Sequence, residues 1–161
     1  MKRSVLLFVF LGTVTFPVLG GNQAECPLPF AEIGGHCIYI DSVTAGSWYD
    51  MNKYCENLNS HPVKLDDLNL FHDIVVDIKT NHLTNAHYWI GARDEGHEGE
   101  WRWTDGSNVR MGTPFWGYVQ SISQQPEGQT SQNCAVLDWA NFFYFNDHDC
   151  NLDRNIICQF N

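Results

Sequence analysis

Gln125-Pro126-Glu127, then Gln132-Asn133-Cys134, then Asn146-Asp147 and Cys150: within 26 residues the chain gathers amides, carboxylates, a proline and two cysteines. Hard cations such as Ca²⁺ take about six to eight oxygen ligands from carboxylates, side-chain amides and carbonyls. A surface loop holds such a set still only if something braces it. Closure between Cys134 and Cys150 and a rigid X-Pro bond would do so. The stretch reads as a Ca²⁺ site.

Working outward, residues 104–133 show little periodicity yet contain Pro114, Phe115, Trp116, Tyr118 and Pro126. Long structureless loops are usually functional or disordered, and these aromatics and prolines favour an ordered, functional loop. Four short runs around it read as strands: His87-Tyr88-Trp89-Ile90-Gly91, Trp101-Arg102-Trp103, Cys134-Ala135-Val136-Leu137 and Asn155 to Phe160. Further upstream the period changes to helical. Ser47 is a plausible N-cap for a helix over 48–58, with Trp48, Met51, Cys55 and Leu58 on one face. A second helix is expected from Asp66 or Asp67 to near Thr80, with Leu68, Phe71, Val75 and Ile78 as its apolar stripe. Before the helices, Cys26 to Ile40 reads as a hairpin that turns at Gly34-Gly35.

The first twenty residues have the form of a secretion signal: Lys2-Arg3, an apolar run from Val5 to Val18, and a cut after Gly20. The run is short for a membrane span and is interrupted by Thr13, Thr15 and Pro17. Cleavage leaves one domain over 21–161, with 7 basic against 19 acidic residues and a net charge of −12. That balance excludes nucleic acid, whose binding needs a basic footprint. Six cysteines in a secreted chain imply disulfides, with 15 pairings open at this point. There is no C-x₂-C or paired Cys/His spacing, so zinc is set aside. No Gly-x-Ser-x-Gly, His-Glu-x-x-His or phosphate loop occurs, so no enzyme is expected.

Taken in order, these pieces resemble a family. Two helices, then Trp89-Ile90-Gly91-Ala92-Arg93-Asp94, then Glu98-Gly99-Glu100-Trp101-Arg102-Trp103-Thr104-Asp105-Gly106-Ser107, then Gln-Pro-Glu, Asn-Cys-Ala, Phe-Asn-Asp and a terminal Ile-Cys-Gln-Phe are similar to a C-type lectin domain. The likeness covers 26–161. It implies an α+β fold of two helices and two small antiparallel sheets, with a long calcium-binding loop. It also implies the pairs Cys55–Cys158 and Cys134–Cys150, with Cys26–Cys37 as the extra N-terminal pair of the long form.

Carried over residue by residue, the resemblance assigns a principal calcium site to Gln125, Glu127, Gln132, Asn146 and Asp147. Asp147 would give both its carboxylate and its carbonyl, Pro126 would be cis, and two sugar hydroxyls would complete the coordination. Asp94, Glu98 and Asn133, with Gln132, would form an auxiliary calcium site. Phe115, Trp116, Tyr118 and Trp139 are candidates to stack on a sugar, although core packing suits each as well, and His148 is placed to line the site.

The triplet departs from the family's usual forms. Gln125-Pro126-Glu127 keeps the amide-first, acid-second order of the galactose type, but its acid is one methylene longer than Asp. Gln132 stands where the family has Glu, and Phe145 where it has Trp. The expected function is a secreted, extracellular, calcium-dependent lectin that recognises microbial or cell-surface glycans in innate immunity. It would insert into no membrane and could self-associate. The rival is a calcium-independent protein- or ice-binding module of the same fold.

Overall fold

The computed structural model describes residues 25–119 and 122–161. The signal expected over 1–20 lies outside them. Helix α1 spans Trp48–Asn57 and is capped by Ser47, whose side chain accepts from the Asp50 N–H. Trp48, Met51 and Cys55 are its buried face, as the spacing predicts. Helix α2 spans Leu68–Thr80 and is capped by Asp67. Its buried face is Leu70, Phe71, Ile74 and Ile78, so the expected stripe is rotated and Leu68 is exposed. The cap begins the first turn at Leu68, and that turn's side chain projects outward.

Among the described residues there are also ten strands. They are β1 (Ala31–Ile33), β2 (His36–Gly46), β3 (Ser60–Pro62), β4 (Tyr88–Arg93), β5 (Arg102–Trp103), β6 (Tyr118–Val119), β7 (Ser123–Gln124), β8 (Cys134–Asp138), β9 (Tyr144–His148) and β10 (Arg154–Phe160). The Gly34-Gly35 turn joins β1 to β2 with both glycines at positive φ, a conformation open to them for lack of a Cβ. Two antiparallel groups form: β1, β2, β3 and β10 on one side, and β4, β5, β8 and β9 on the other. They meet where β10 pairs in parallel with β4, Ile156 opposite Trp89, so the two antiparallel groups run on as one mixed sheet. A separate ribbon, β6–β7, rises from the long loop.

The sheet separates two cores. One packs α2 against Ile90, Leu137, Phe145 and Ile157. The other, under α1, holds Trp48, Trp89, Val136 and Ile156 around Cys55, Cys134, Cys150 and Cys158. The disulfides are Cys26–Cys37, Cys55–Cys158 and Cys134–Cys150. The α1 side therefore gains covalent links where its aliphatic content is small.

Gly91 shows why the Trp89-Ile90-Gly91 segment is a core strand. Its N–H donates to the Val63 carbonyl at 2.9 Å. A Cβ there would sit 2.8 Å from the Pro62 carbonyl oxygen and 3.1 Å from that of Val63. Both are backbone atoms and cannot rotate aside. Gly91→Ala is expected to cost about 1–3 kcal/mol, the usual penalty for overpacking. The denaturation midpoint measures it, and an unchanged midpoint would contradict this packing.

Candidate functional site

The long loop is pinned at its ends by backbone bonds. Phe145 N–H donates to the Phe115 carbonyl at 2.8 Å, and Gly117 N–H to the Phe145 carbonyl at 3.0 Å. Gln125 N–H then donates to Gly117 at 2.9 Å. Phe115 and Trp116 are buried and pack on Phe145, with ring centroids 5.5 and 5.8 Å away. These two aromatics are core residues that hold the loop. Trp101 and Trp103 are buried as well. Phe145 also meets Phe71 and Trp103, so the smaller ring fills the position without leaving the core open.

Loop and strand meet at Asp147, which is 1% exposed. The Gln125–Pro126 bond is cis. Beyond it, Glu127 N–H donates to Asp147 Oδ2 at 3.1 Å, and Gly128 N–H donates to the same oxygen at 2.6 Å. The Asp147 carboxylate thus clamps the loop from β9. Next to it lies a cleft of about 260 Å³ lined by Asp94, Glu98, Glu127, Gln132 and Asp147, with Trp101 and Pro126 as apolar wall. Among the described residues no basic side chain lines it.

That grouping is electrostatically costly. Burial raises the Asp147 pKa above the usual carboxylate value and the charge of Asp94 adds to it, against the Gly128 and Glu127 N–H bonds. Burial likewise raises Asp94, opposed by the Gly99 N–H that donates to its Oδ2 at 2.9 Å. Glu98, on the rim, is raised first by desolvation and then by the charges of Asp94 and Asp147. Carboxylates gathered without a counter-charge are the environment a hard cation relieves.

The family resemblance implies principal and auxiliary sets, and their members are distributed unevenly. Glu127, Gln132 and Asp147 of the first set share the cleft with Asp94 and Glu98 of the second. Asn133 flanks it: its carbonyl accepts from Asp94 N–H at 3.3 Å, and its amide nitrogen can face Asp94 Oδ1 at 3.3 Å. Gln125 is buried at 3% exposure. Asn146 is turned to the other face of β9, where its Nδ2 donates to Asp138 Oδ2 at 2.9 Å. Neighbouring residues of a strand point to opposite faces, which separates Asn146 and His148 from Asp147. His148 accordingly lies beside His87 and Trp89, away from the acidic cleft. Of the stacking candidates, Tyr118 and Trp139 are exposed; Tyr118 sits on the ribbon that leads into Gln125. Ser123 donates its hydroxyl to Glu127, a partner that sequence reading missed because the β6–β7 ribbon was not foreseen.

A two-helix α+β domain with a disulfide-braced long loop and an acidic cleft beside a cis-proline defines a C-type lectin-like domain. The model of the Lectin C-type domain matches residues 44–160, and the chain belongs to that family. It is 35% identical over 141 residues to "C-type lectin domain family 10 member A" of Mus musculus, covering 87% of this chain. The chain spans only 43% of that relative's length. It is 28% identical over 166 residues to "C-type lectin galactose-binding isoform" of Hoplocephalus stephensii, covering 99% of this chain and 98% of the relative. The solved carbohydrate-recognition domain of the mouse scavenger receptor C-type lectin superposes with a TM-score of 0.67 at 27% identity, over 83% of this chain and 94% of that one. Domains of this family are typically non-enzymatic binding modules and generally bind Ca²⁺. Among the described residues no helix is long and apolar enough to cross a membrane.

Proposed function

We propose that this chain is a secreted, calcium-dependent glycan-binding lectin without enzymatic activity, directed at microbial surfaces. The observation that carries it is the cleft in which Asp94, Glu98, Glu127 and Asp147 converge with no basic partner among the described residues. Glu127, Gln132 and Asp147, with Asp94 and Glu98, are the residues that would hold Ca²⁺. Bound there, the ion supplies coordination positions for two adjacent sugar hydroxyls. The chain's own part is orientation: the clamp from Asp147 sets Glu127 at the cleft, and Gln132 offers both a donor and an acceptor. The Gln-Pro-acid order and the galactose-binding relative favour galactose over mannose.

A single sugar on so open a site binds near millimolar, about −4 kcal/mol. Repetitive glycan surfaces bound by several copies would multiply that by avidity. The expected result is retention on immobilised galactose in calcium, release by chelator, and weaker retention on immobilised mannose. Absence of retention on any glycan in calcium would overturn the reading. One observation favours the calcium-independent alternative: Asn146 is satisfied by Asp138, and Asp147 by two loop N–H groups, with protein partners alone. Ligand binding that survives chelation would establish that alternative.

A further inference from the structure

On the sheet face opposite the acidic cleft, three further ligand-type side chains converge. His87 precedes β4, Asp138 ends β8 and His148 ends β9. One ligand atom from each lies within 4.8 Å of the other two. We infer that His87, Asp138 and His148 form a binding site for a borderline divalent transition metal such as Zn²⁺. Two imidazoles and a carboxylate suit zinc, copper(II) or nickel, whereas Ca²⁺ prefers oxygen alone. The site is thus chemically distinct from the cleft, and it stands or falls independently of glycan binding.

Several contacts separate this cluster from an ordinary His–Asp pair. His87 Nδ1 is 3.2 Å from an Asp138 carboxylate oxygen, yet it is a buried atom without a hydrogen-bond partner. In a tetrahedral zinc site with bonds of about 2.0–2.1 Å, ligand atoms stand about 3.3 Å apart. That edge is therefore already at zinc spacing, and the other two lie within 4.8 Å. Asp138 is oriented from behind, by Asn146 Nδ2 at its Oδ2 and Ala140 N–H at its Oδ1, both at 2.9 Å. Such outer partners are what fix a metal-ligating carboxylate. Three protein ligands leave a fourth position of a four-coordinate site open, and the exposed Trp139 stands edge-on to His87.

Arg154 opposes the site. Its Nε donates to His148 Nδ1 at 3.3 Å, which occupies that nitrogen and places a cation nearby. A metal held through that nitrogen displaces Arg154, and one held through Nε2 still meets its charge, so Arg154 sets the affinity without being a ligand.

The test uses the full chain in saturating calcium, which occupies the acidic cleft. Zinc is titrated by calorimetry, and cobalt(II) by its visible absorption. One metal per chain is expected, with the intense cobalt bands of a four- or five-coordinate site. His87→Ala should weaken zinc by at least about a hundredfold. Arg154→Gln should tighten it several-fold, which a merely structural arginine would not do. His72→Ala, at an exposed histidine, should change nothing. No zinc heat, or zinc binding indifferent to His87→Ala, would overturn the site. Should His148→Ala fail to fold, the cobalt spectrum of the unaltered chain and the His87 variant decide.

Discussion

Asp147→Asn is expected to abolish calcium-dependent glycan retention, with at least about a hundredfold loss of calcium affinity, while the fold survives. Two effects add. The substitution removes one of the few carboxylates facing the cleft, and charge count tunes Ca²⁺ affinity. It also exchanges an acceptor-only group for one that carries its own donors, against the Glu127 and Gly128 N–H groups. Bonds to a charged acceptor are worth roughly 1.5–3 kcal/mol each, so the clamp on the loop beyond Pro126 weakens along with the proposed metal site. The measurement is thermal unfolding with calcium and with chelator. The unaltered chain should gain stability from calcium, about 2.7 kcal/mol at a hundredfold excess over Kd. Asp147→Asn should gain none and match the chelated parent in circular dichroism. If the variant still shows the calcium shift, Asp147 is not a ligand and the cleft loses its central residue.

Much of this architecture was readable wherever periodicity and capping agree. Ser47 and the Trp48–Met51–Cys55 spacing located α1, and Asp67 located the start of α2. The α2 stripe was misplaced because Leu68 and Val75 are apolar but lie beside the true face, and apolarity alone does not fix phase. Strand β2 runs on to Gly46 through exposed Ser42 and Val43, where alternation gives no signal beyond Ile40. Strand β9 carries no strand signal in its sequence. Its Tyr-Phe-Asn-Asp-His buries polar groups on both faces, so hydrophobic alternation fails there although the ladder to β8 is continuous.

The same limit governed the functional residues. Spacing in sequence showed which oxygens are near Pro126, but the alternation of β9 decides that Asp147 faces the cleft while Asn146 faces Asp138. Nor could the sequence join His87 to His148, which are far apart in the chain. Only the adjacency of β4, β8 and β9 brings them together. Setting zinc aside for want of Cys/His spacing addressed local motifs and not ligands assembled across a sheet.

The pairing Cys55–Cys158 carries the largest stability effect. It ties α1 to β10 across 103 residues, and both cysteines are fully buried. Loop-closure entropy in the unfolded chain makes such a link worth about 4.7 kcal/mol, against about 3 kcal/mol for a loop the length of Cys134–Cys150, 16 residues. Domains of this size hold only about 5–15 kcal/mol in total. The double variant Cys55→Ala/Cys158→Ala also leaves a void beside Trp48, Trp89 and Ile156 in the smaller core, which adds to the cost. We expect it to unfold at low denaturant or to be unfolded without any, by tryptophan fluorescence. Cys134→Ala/Cys150→Ala should remain folded with a smaller loss. The short link encloses β8, β9 and their turn, which the ladder already holds together. A Cys134–Cys150 variant less stable than the Cys55–Cys158 variant would show that local strain, and not chain entropy, sets the value of these links.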